Sequence, residues 1–92
     1  MSDLSEALHF LVGRQVIAEI GDGFTVFGIL DAVGSAHLFF RDADLHQQAE
    51  ANSTRDVYAI ETMQIGVRPN RKTLLIPLAR LITICPLEDV VP

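Results

Sequence analysis

Between residues 15 and 42, apolar and polar positions alternate in three consecutive runs. Two short segments separate the runs, Gly21-Asp22-Gly23 and Gly34-Ser35, and both consist of residues that tight turns use. A period of two is typical of β-strands, and the β-branched and aromatic residues of the runs favour the same structure. The pattern therefore predicts a three-stranded meander with strands at 15–20, 24–33 and 37–42.

The second predicted strand is apolar on both faces. One face carries Phe24, Val26, Gly28 and Leu30, and the other carries Phe27, Ile29 and Val33. Both faces are therefore expected to be buried. A strongly bent barrel covered by a helix would bury them, and so would a sheet that packs against a neighbouring subunit. A glycine in mid-strand, Gly28, is expected where a strand bends or another backbone approaches closely.

The segments on either side of the meander differ from it. Leucines recur at helical spacing between Ser2 and Val12, and Gly13 stands where a left-handed residue would end a helix, so this segment predicts a short amphipathic helix. After the meander, residues 43–54 are mostly polar. We interpret them as an exposed connection.

The pattern of residues 54–66 fits either a helix or a strand. Ser53-Thr54-Arg55-Asp56 has the form of a helix capping box, and Gly66 would end the helix. Alternation from Tyr58 to Thr62 would also suit a strand. We predict the helix.

Two short apolar strands are predicted next, at Thr73–Ile76 and from Arg80 to Ile84, ended by Pro77 and Pro86. Residues 87–92 read as an exposed or partner-bound tail. Both strands are apolar on both faces, and soluble proteins avoid leaving such strands as free edges. We therefore predict that they form an interface between subunits. The predicted interface residues are Leu74, Ile76, Leu81, Ile82 and Ile84.

Composition and charge limit the classes of function. The 92 residues predict a single domain, 1–92, yet 49% of them are hydrophobic and the mean hydropathy is +0.30. One small core absorbs little apolar surface, so we expect a homo-oligomer. The formal net charge of -5 has the wrong sign for a protein that neutralises phosphates over its whole surface. Nucleic acid could bind only at a local basic patch.

Other residue types bear on location and chemistry. A single cysteine, Cys85, fits a reducing compartment, and there is neither a leader-like amino terminus nor an apolar run of about 20 residues. We therefore expect a cytoplasmic protein that does not cross a membrane. His9, His37, His46 and Cys85 lack metal-ligand spacing, and no Gly-rich phosphate loop precedes a helix. The sequence thus predicts no metal, no cofactor and no enzyme activity.

The order of these elements resembles the Sm and Sm-like (LSm) family, in a divergent form of bacterial or phage type. The first Sm motif is similar to Asp22-Gly23, Gly28-Ile29-Leu30 and His37–Ala43, and the second is similar to Leu75–Ile84. The resemblance implies a mainly β fold, a strongly bent five-stranded antiparallel barrel with an N-terminal helix and a second short helix before strand 4. It also implies a ring of about five to seven subunits and binding of RNA.

The residues that contact RNA in this family are mostly replaced here. In Sm proteins that bind uridine-rich RNA, an Asp and an Asn after the second strand and an Arg-Gly pair after the fourth surround each base. Gly34 or Val33 stands at the Asp position, His37 at the Asn position, and Pro77-Leu78 replaces the Arg-Gly pair. The bacterial Tyr-Lys-His signature is also absent. His37 is the candidate that this resemblance leaves, since imidazole can stack on a base or hydrogen-bond to it.

A second candidate site is the turn before the fourth strand, with Arg68, Asn70, Arg71 and Lys72. Four of the seven basic residues lie between Arg55 and Lys72, and a ring would multiply this positive charge. Two hypotheses follow. The protein is a ring that binds RNA or single-stranded nucleic acid through this non-standard surface, or it is an oligomeric scaffold that binds none. Only the first predicts a steep dependence of binding on salt.

Overall fold

The computed structural model describes residues 6–47 and 55–91. This part of the chain consists mainly of five strands and one α-helix. In chain order they are β1 (Gln15–Ile20), β2 (Phe24–Val33), β3 (His37–Gln47), α1 (Arg55–Ile65), β4 (Arg71–Pro77) and β5 (Leu81–Pro86). Short 3-10 turns lie at His9–Leu11, Gly21–Gly23, Leu78–Arg80 and Leu87–Asp89.

All five strands pair antiparallel in one sheet, in the spatial order β4-β3-β2-β1-β5. The predicted meander and the five antiparallel strands are therefore confirmed. β4 and β5 lie at opposite edges, so the described sheet is open and does not close into a barrel. Both edge strands are longer than predicted, because β4 begins at Arg71 and includes Pro77, and β5 continues to Pro86.

The turn between β1 and β2 has the backbone that its sequence predicts. Asp22 and Gly23 adopt φ angles of 67° and 80°. Glycine enters this left-handed region without steric strain, and aspartate tolerates it better than most residues. The two strands then pair without interruption from Gln15 to Ile20 on β1.

A first core lies on the inner face of the sheet. Its central side chains are Val16, Ala18, Val26, Leu30, Leu38 and Phe40. Leu8 and Leu11 cover this core and are themselves buried. The predicted helix at 2–12 is described only from residue 6, and it changes to a 3-10 turn at His9–Leu11. Its first residues lie outside the described part of the chain.

A second, smaller core lies on the outer face of the sheet. Phe27, Ala59 and Leu87 form its buried centre, and Ile17, Tyr58, Met63, Val67 and Val90 pack around them. Both faces of β2 are thus buried, as predicted, and α1 supplies the outer cover. Residues 87–92 were predicted to be an exposed or partner-bound tail, and this is wrong for Leu87, which is only 5% exposed and packs in the chain's own second core.

The path of β3 differs from the prediction. The strand continues to Gln47, although the polar residues 43–47 were assigned to an exposed connection. That assignment is wrong, because Ala43 and Asp44 are both buried. Asp42 adopts a φ of 49° where the β2–β3 register shifts. Such an irregularity changes which residues face inward, so Ala43 joins the inner core and Asp44 faces α1.

α1 confirms the helical alternative for residues 54–66, and the strand alternative is wrong. Gly66 follows the helix with a φ of 107°, and its N–H donates a 2.8 Å hydrogen bond to the Thr62 carbonyl. This is the left-handed ending that a glycine at this position favours. Ser53 and Thr54 of the capping box lie outside the described residues. No helix in residues 6–47 or 55–91 is long and apolar enough to cross a membrane.

Candidate functional site

The basic side chains that the structure describes divide into two groups according to their neighbours. The ion pairs join Arg14 to Glu88, Arg80 to Asp22, and Arg41 to both Asp31 and Asp42. For Arg41, the distances are 3.1 Å from Nε to Asp31 Oδ1 and 3.7 Å from Nη1 to Asp42 Oδ2. These three arginines are therefore largely neutralised by adjacent carboxylates.

The second group is the cation cluster, Arg68, Arg71 and Lys72. All three residues are exposed, and none forms an ion pair with a carboxylate of the described residues. The Arg71 Nη1 donates a 2.9 Å hydrogen bond to the carbonyl of Asn70. Arg68 lies in the segment before β4, and Arg71 and Lys72 are the first two residues of the strand.

Asn70 attaches the segment that carries the cation cluster to β3. Its backbone N–H donates to the Ala43 carbonyl at 2.8 Å. Its side chain donates through Nδ2 to Asp44 Oδ1 and to the Leu45 carbonyl, both at 3.1 Å, and its Oδ1 accepts from the Leu45 N–H at 3.0 Å. These contacts engage the side chain within the chain. These contacts hold the loop against β3, and the predicted contact of Asn70 with nucleic acid stays a prediction.

Asp44 is the centre of a polar network that the sequence analysis missed. Its carboxylate accepts hydrogen bonds from the Tyr58 hydroxyl at 2.5 Å and from Asn70 at 3.1 Å. The His46 ring stacks on Tyr58 with a centroid separation of 4.0 Å and an interplanar angle of 12°. The signal in the sequence was the alternation of Ala43 and Leu45 with Asp44 and His46. This alternation continues the period of two that is typical of a strand.

The network changes the acidity of the phenol. Burial, the hydrogen bond to Asp44 and the charge of that carboxylate raise the pKa of Tyr58 to about 12, while Arg68 acts in the opposite direction through its charge and a hydrogen bond. Arg68 therefore lies beside the Tyr58 hydroxyl. One network connects the cation cluster, α1 and β3.

His37 lies apart from the cation cluster. It is exposed at the start of β3 and pairs with Pro77, whereas Arg71 at the other end of β4 pairs with Ala43. Arg71 and Pro77 are six residue steps apart, a distance of about 20 Å in an extended strand. The structure therefore does not combine the two predicted nucleic-acid sites into one.

The predicted interface residues occupy both edge strands but differ in exposure. Ile76 is buried in the chain's own inner core, and Leu74, Leu81 and Ile84 pack partly against that core. Ile82 is 65% exposed and coincides with a register shift between β1 and β5. Leu75, which is not among the predicted interface residues, is 54% exposed on β4.

The described side chains do not resemble a metal centre. Within residues 6–47 and 55–91, no group of three or more His, Cys, Asp or Glu residues is arranged to hold an ion. No known family model matches the sequence, and no curated protein matches it.

Proposed function

We propose that this chain forms an Sm-like ring of identical subunits and binds RNA or another single-stranded nucleic acid through the cation cluster. The observation that carries the proposal is the pair of open sheet edges with exposed apolar side chains, Leu75 on β4 and Ile82 on β5. Each subunit carries both open edges, so the β4 edge of one copy can pair with the β5 edge of the next.

Edge-to-edge pairing gives the unpaired backbone groups of both strands hydrogen-bond partners. Because β4 and β5 are different surfaces on opposite edges, the contact is head-to-tail, and head-to-tail contacts generate rings when the rotation closes. Burial of Leu75 and Ile82 would add the apolar contribution that the mean hydropathy of the chain led us to expect.

The cation cluster supports the nucleic-acid part of the proposal. Arg68, Arg71 and Lys72 are exposed without carboxylate partners among the described residues, in a chain whose formal net charge is -5. A ring would repeat this positive patch once per subunit. Arginine and lysine contacts to phosphate supply affinity without reading base sequence. We therefore expect weak, salt-sensitive binding that is nearly indifferent to base identity.

The test is a fluorescence-anisotropy titration with short labelled single-stranded RNAs over a series of salt concentrations. Arg71→Ala combined with Lys72→Ala should weaken binding equally for all sequences and reduce the salt slope by about 1.4 per engaged subunit. The matched control combines Arg14→Ala with Arg80→Ala, which also removes two charges but takes them from ion pairs elsewhere. This control and His37→Ala should change binding little.

Two results would contradict the proposal in different ways. The first is tight, uridine-selective binding that is abolished by His37→Ala and unchanged in the Arg71/Lys72 double variant. This result would support the ordinary Sm pocket as the binding site. Absence of binding at about 50 mM salt, where phosphate contacts are strong, would exclude the nucleic-acid function.

The second candidate function is an oligomeric scaffold that binds other proteins and no nucleic acid. The formal net charge of -5 favours it, because long-range electrostatics would then repel polyanions from most of the surface. The subunits of a scaffold would be held together by apolar edges. The mass of the oligomer would therefore not change at salt concentrations that abolish phosphate contacts.

A further inference from the structure

The segment between α1 and β4 is attached to the rest of the chain at both of its ends. At its start, Val67 packs against the second core. At its end, the backbone N–H of Asn70 donates to the Ala43 carbonyl at 2.8 Å, and the Asn70 side chain forms three further hydrogen bonds with β3. Pro69 lies between the two attachments, and its ring fixes its φ angle. The backbone of Arg68, which precedes Pro69, therefore has little freedom.

The side chain of Arg68 lies beside a phenol that is itself held in place. The Tyr58 hydroxyl and the Asn70 Nδ2 bind the two oxygens of one carboxylate, that of Asp44, at 2.5 Å and 3.1 Å. The ring of Tyr58 also stacks on His46 at a centroid separation of 4.0 Å. Because Asn70 is two residues from Arg68, the shared carboxylate brings the phenol next to Arg68, whose guanidinium hydrogen-bonds to the phenol oxygen.

An arginine in this position can bind a second group. Its guanidinium has five N–H donors, and a hydrogen bond to the phenol leaves others for a ligand. The side chain of Arg68 is exposed, and it pairs with no carboxylate of residues 6–47 and 55–91. A ligand usually has to order a long side chain when it binds, at a cost in affinity. An arginine that is ordered beforehand avoids most of this cost, and its planar fork fits a phosphate.

We infer that Arg68 is the ordered phosphate contact of the cation cluster and that Tyr58 is its positioning residue; this inference rests on the proposed function and deepens it. Tyr58 does not touch the nucleic acid in this arrangement, but fixes the guanidinium through its hydroxyl. The other two members of the cluster, Arg71 and Lys72, add charge at the start of β4. A lysine in place of Arg68 would keep the charge, but it lacks the planar fork that can serve the phenol and a phosphate together.

The experiment is a double-mutant cycle, measured by anisotropy titration with a short labelled oligouridine at about 50 mM salt. Tyr58→Phe should weaken binding about 2- to 13-fold, which corresponds to the cost of ordering one long side chain. Arg68→Lys should weaken it by a similar factor. In the Arg68→Lys background, Tyr58→Phe should weaken binding by less than about 1.5-fold, because the hydroxyl then has no guanidinium to position. The salt slope should stay unchanged in all three variants, since none of them loses a charge.

The matched control is Thr62→Val, which removes a hydrogen bond from the same helix and leaves Arg68 and its phenol in place. The Thr62 Oγ1 donates to the Tyr58 carbonyl at 2.9 Å, and Thr62 is 3% exposed. This variant should lower the stability of the protein and keep the parent's affinity. An equal loss of affinity in Thr62→Val and Tyr58→Phe would show that a weakened helix is the cause, and it would overturn the positioning role.

A second measurement follows Arg68 in the protein without nucleic acid. With ¹⁵N-labelled arginine, the side-chain Nε–H of Arg68 should show restricted motion in the parent and greater motion in Tyr58→Phe. Parent affinity in Tyr58→Phe, equal weakening in both backgrounds of the cycle, or an Arg68 signal that is equally mobile in both proteins would overturn the positioning and leave phosphate binding by the cluster intact. Absence of binding by the parent at about 50 mM salt would overturn the proposed function itself, and this inference with it.

Discussion

The hydroxyl of Tyr58 and the carboxylate of Asp44 are joined by a 2.5 Å hydrogen bond that ties α1 to β3. Asp44 is 4% exposed, and its second oxygen accepts from Asn70 at 3.1 Å. A buried carboxylate needs such donors, because an unpaired charge in this position would be strongly destabilising. The two contacts therefore hold the helix and the loop with the cation cluster against one strand.

The phenol of Tyr58 should titrate at unusually high pH. Tyr58 is the only tyrosine in the sequence, so ultraviolet absorbance of the tyrosinate reports it directly, with a midpoint of about 12. The pKa in the folded state lies above that of the unfolded chain, about 10. Neutral Tyr58 therefore contributes stability below about pH 10, and that contribution is lost as the pH rises toward the folded-state pKa. Asp44→Asn should lower the midpoint, and a midpoint that stays unchanged would contradict the assigned hydrogen bond.

Removal of the Tyr58 hydroxyl should destabilise the fold without changing the ring packing. Tyr58→Phe keeps the stack on His46 and the contact with Phe27, but it takes one donor from a buried carboxylate. We expect a loss of about 1.5 to 3 kcal/mol in the free energy of unfolding. Urea unfolding measures it, and a variant with the parent's midpoint and slope would contradict the role of this contact.

Gly28 should not tolerate a larger residue. A Cβ built at this position would lie 2.9 Å from the Cα of Ala43, and backbone cannot move aside as a flexible side chain can. Gly28→Val should lower stability by about 1 to 3 kcal/mol through overpacking, with added strain, and lower the melting temperature. Gly21→Ala is the matched control, since its nearest neighbour is the mobile end of Arg80. Melting of Gly28→Val at the parent's temperature would contradict the close packing of β2 on β3.

The features that could be predicted from the sequence are those with local causes. The β1–β2 turn follows from Gly21-Asp22-Gly23, and the end of α1 follows from Gly66. Burial of both faces of β2 follows from its own apolar residues. The extension of β3 could not be predicted, because it depends on the unusual backbone of Asp42 and on partners in α1 and in the loop before β4.

In the candidate site, too, only the features with local causes could be predicted from the sequence. Exposure of Arg68, Arg71 and Lys72 follows from their charge and their position in a turn. The role of Asn70 depends on Asp44, which is 26 residues away in sequence and was assigned to an exposed connection. Burial of Leu87 likewise depends on contacts with Phe27 and Ala59, which no pattern within the acidic tail indicates.

The thiol of Cys85 should react slowly in the folded protein. Cys85 is half-buried beside a cavity of about 210 Å³, and burial, followed by the negative charges of Asp89 and Glu19, raises its pKa. The thiolate is the reactive species, so a raised pKa lowers the rate of disulfide exchange at pH 8. Unfolding in urea should increase the rate, and Asp89→Asn should increase it in the folded state. Equal rates for folded and unfolded chains would contradict the protected position.

The exposed Ile82 provides the most direct test of assembly. It is 65% exposed on the edge strand β5, at a register shift where it contributes little to the inner core. A lysine there should leave the subunit folded, since exposed substitutions usually change stability by about 0.5 kcal/mol or less. In a ring, however, the same lysine would place a charge in an apolar contact with the β4 edge of the next subunit, so Ile82→Lys should give a smaller species by multi-angle light scattering.

The matched control for this substitution is Ile65→Lys, at a residue that is 72% exposed on α1 and lies on neither edge strand. It adds the same charge to the same kind of side chain, and it should keep the mass of the parent assembly. Circular dichroism and thermal melting of both variants separate loss of assembly from loss of folding. A parent protein that is already monomeric, or a folded Ile82→Lys variant with the parent's mass, would contradict pairing of the β4 and β5 edges, because a buried unpaired lysine is too unfavourable for such an interface to retain.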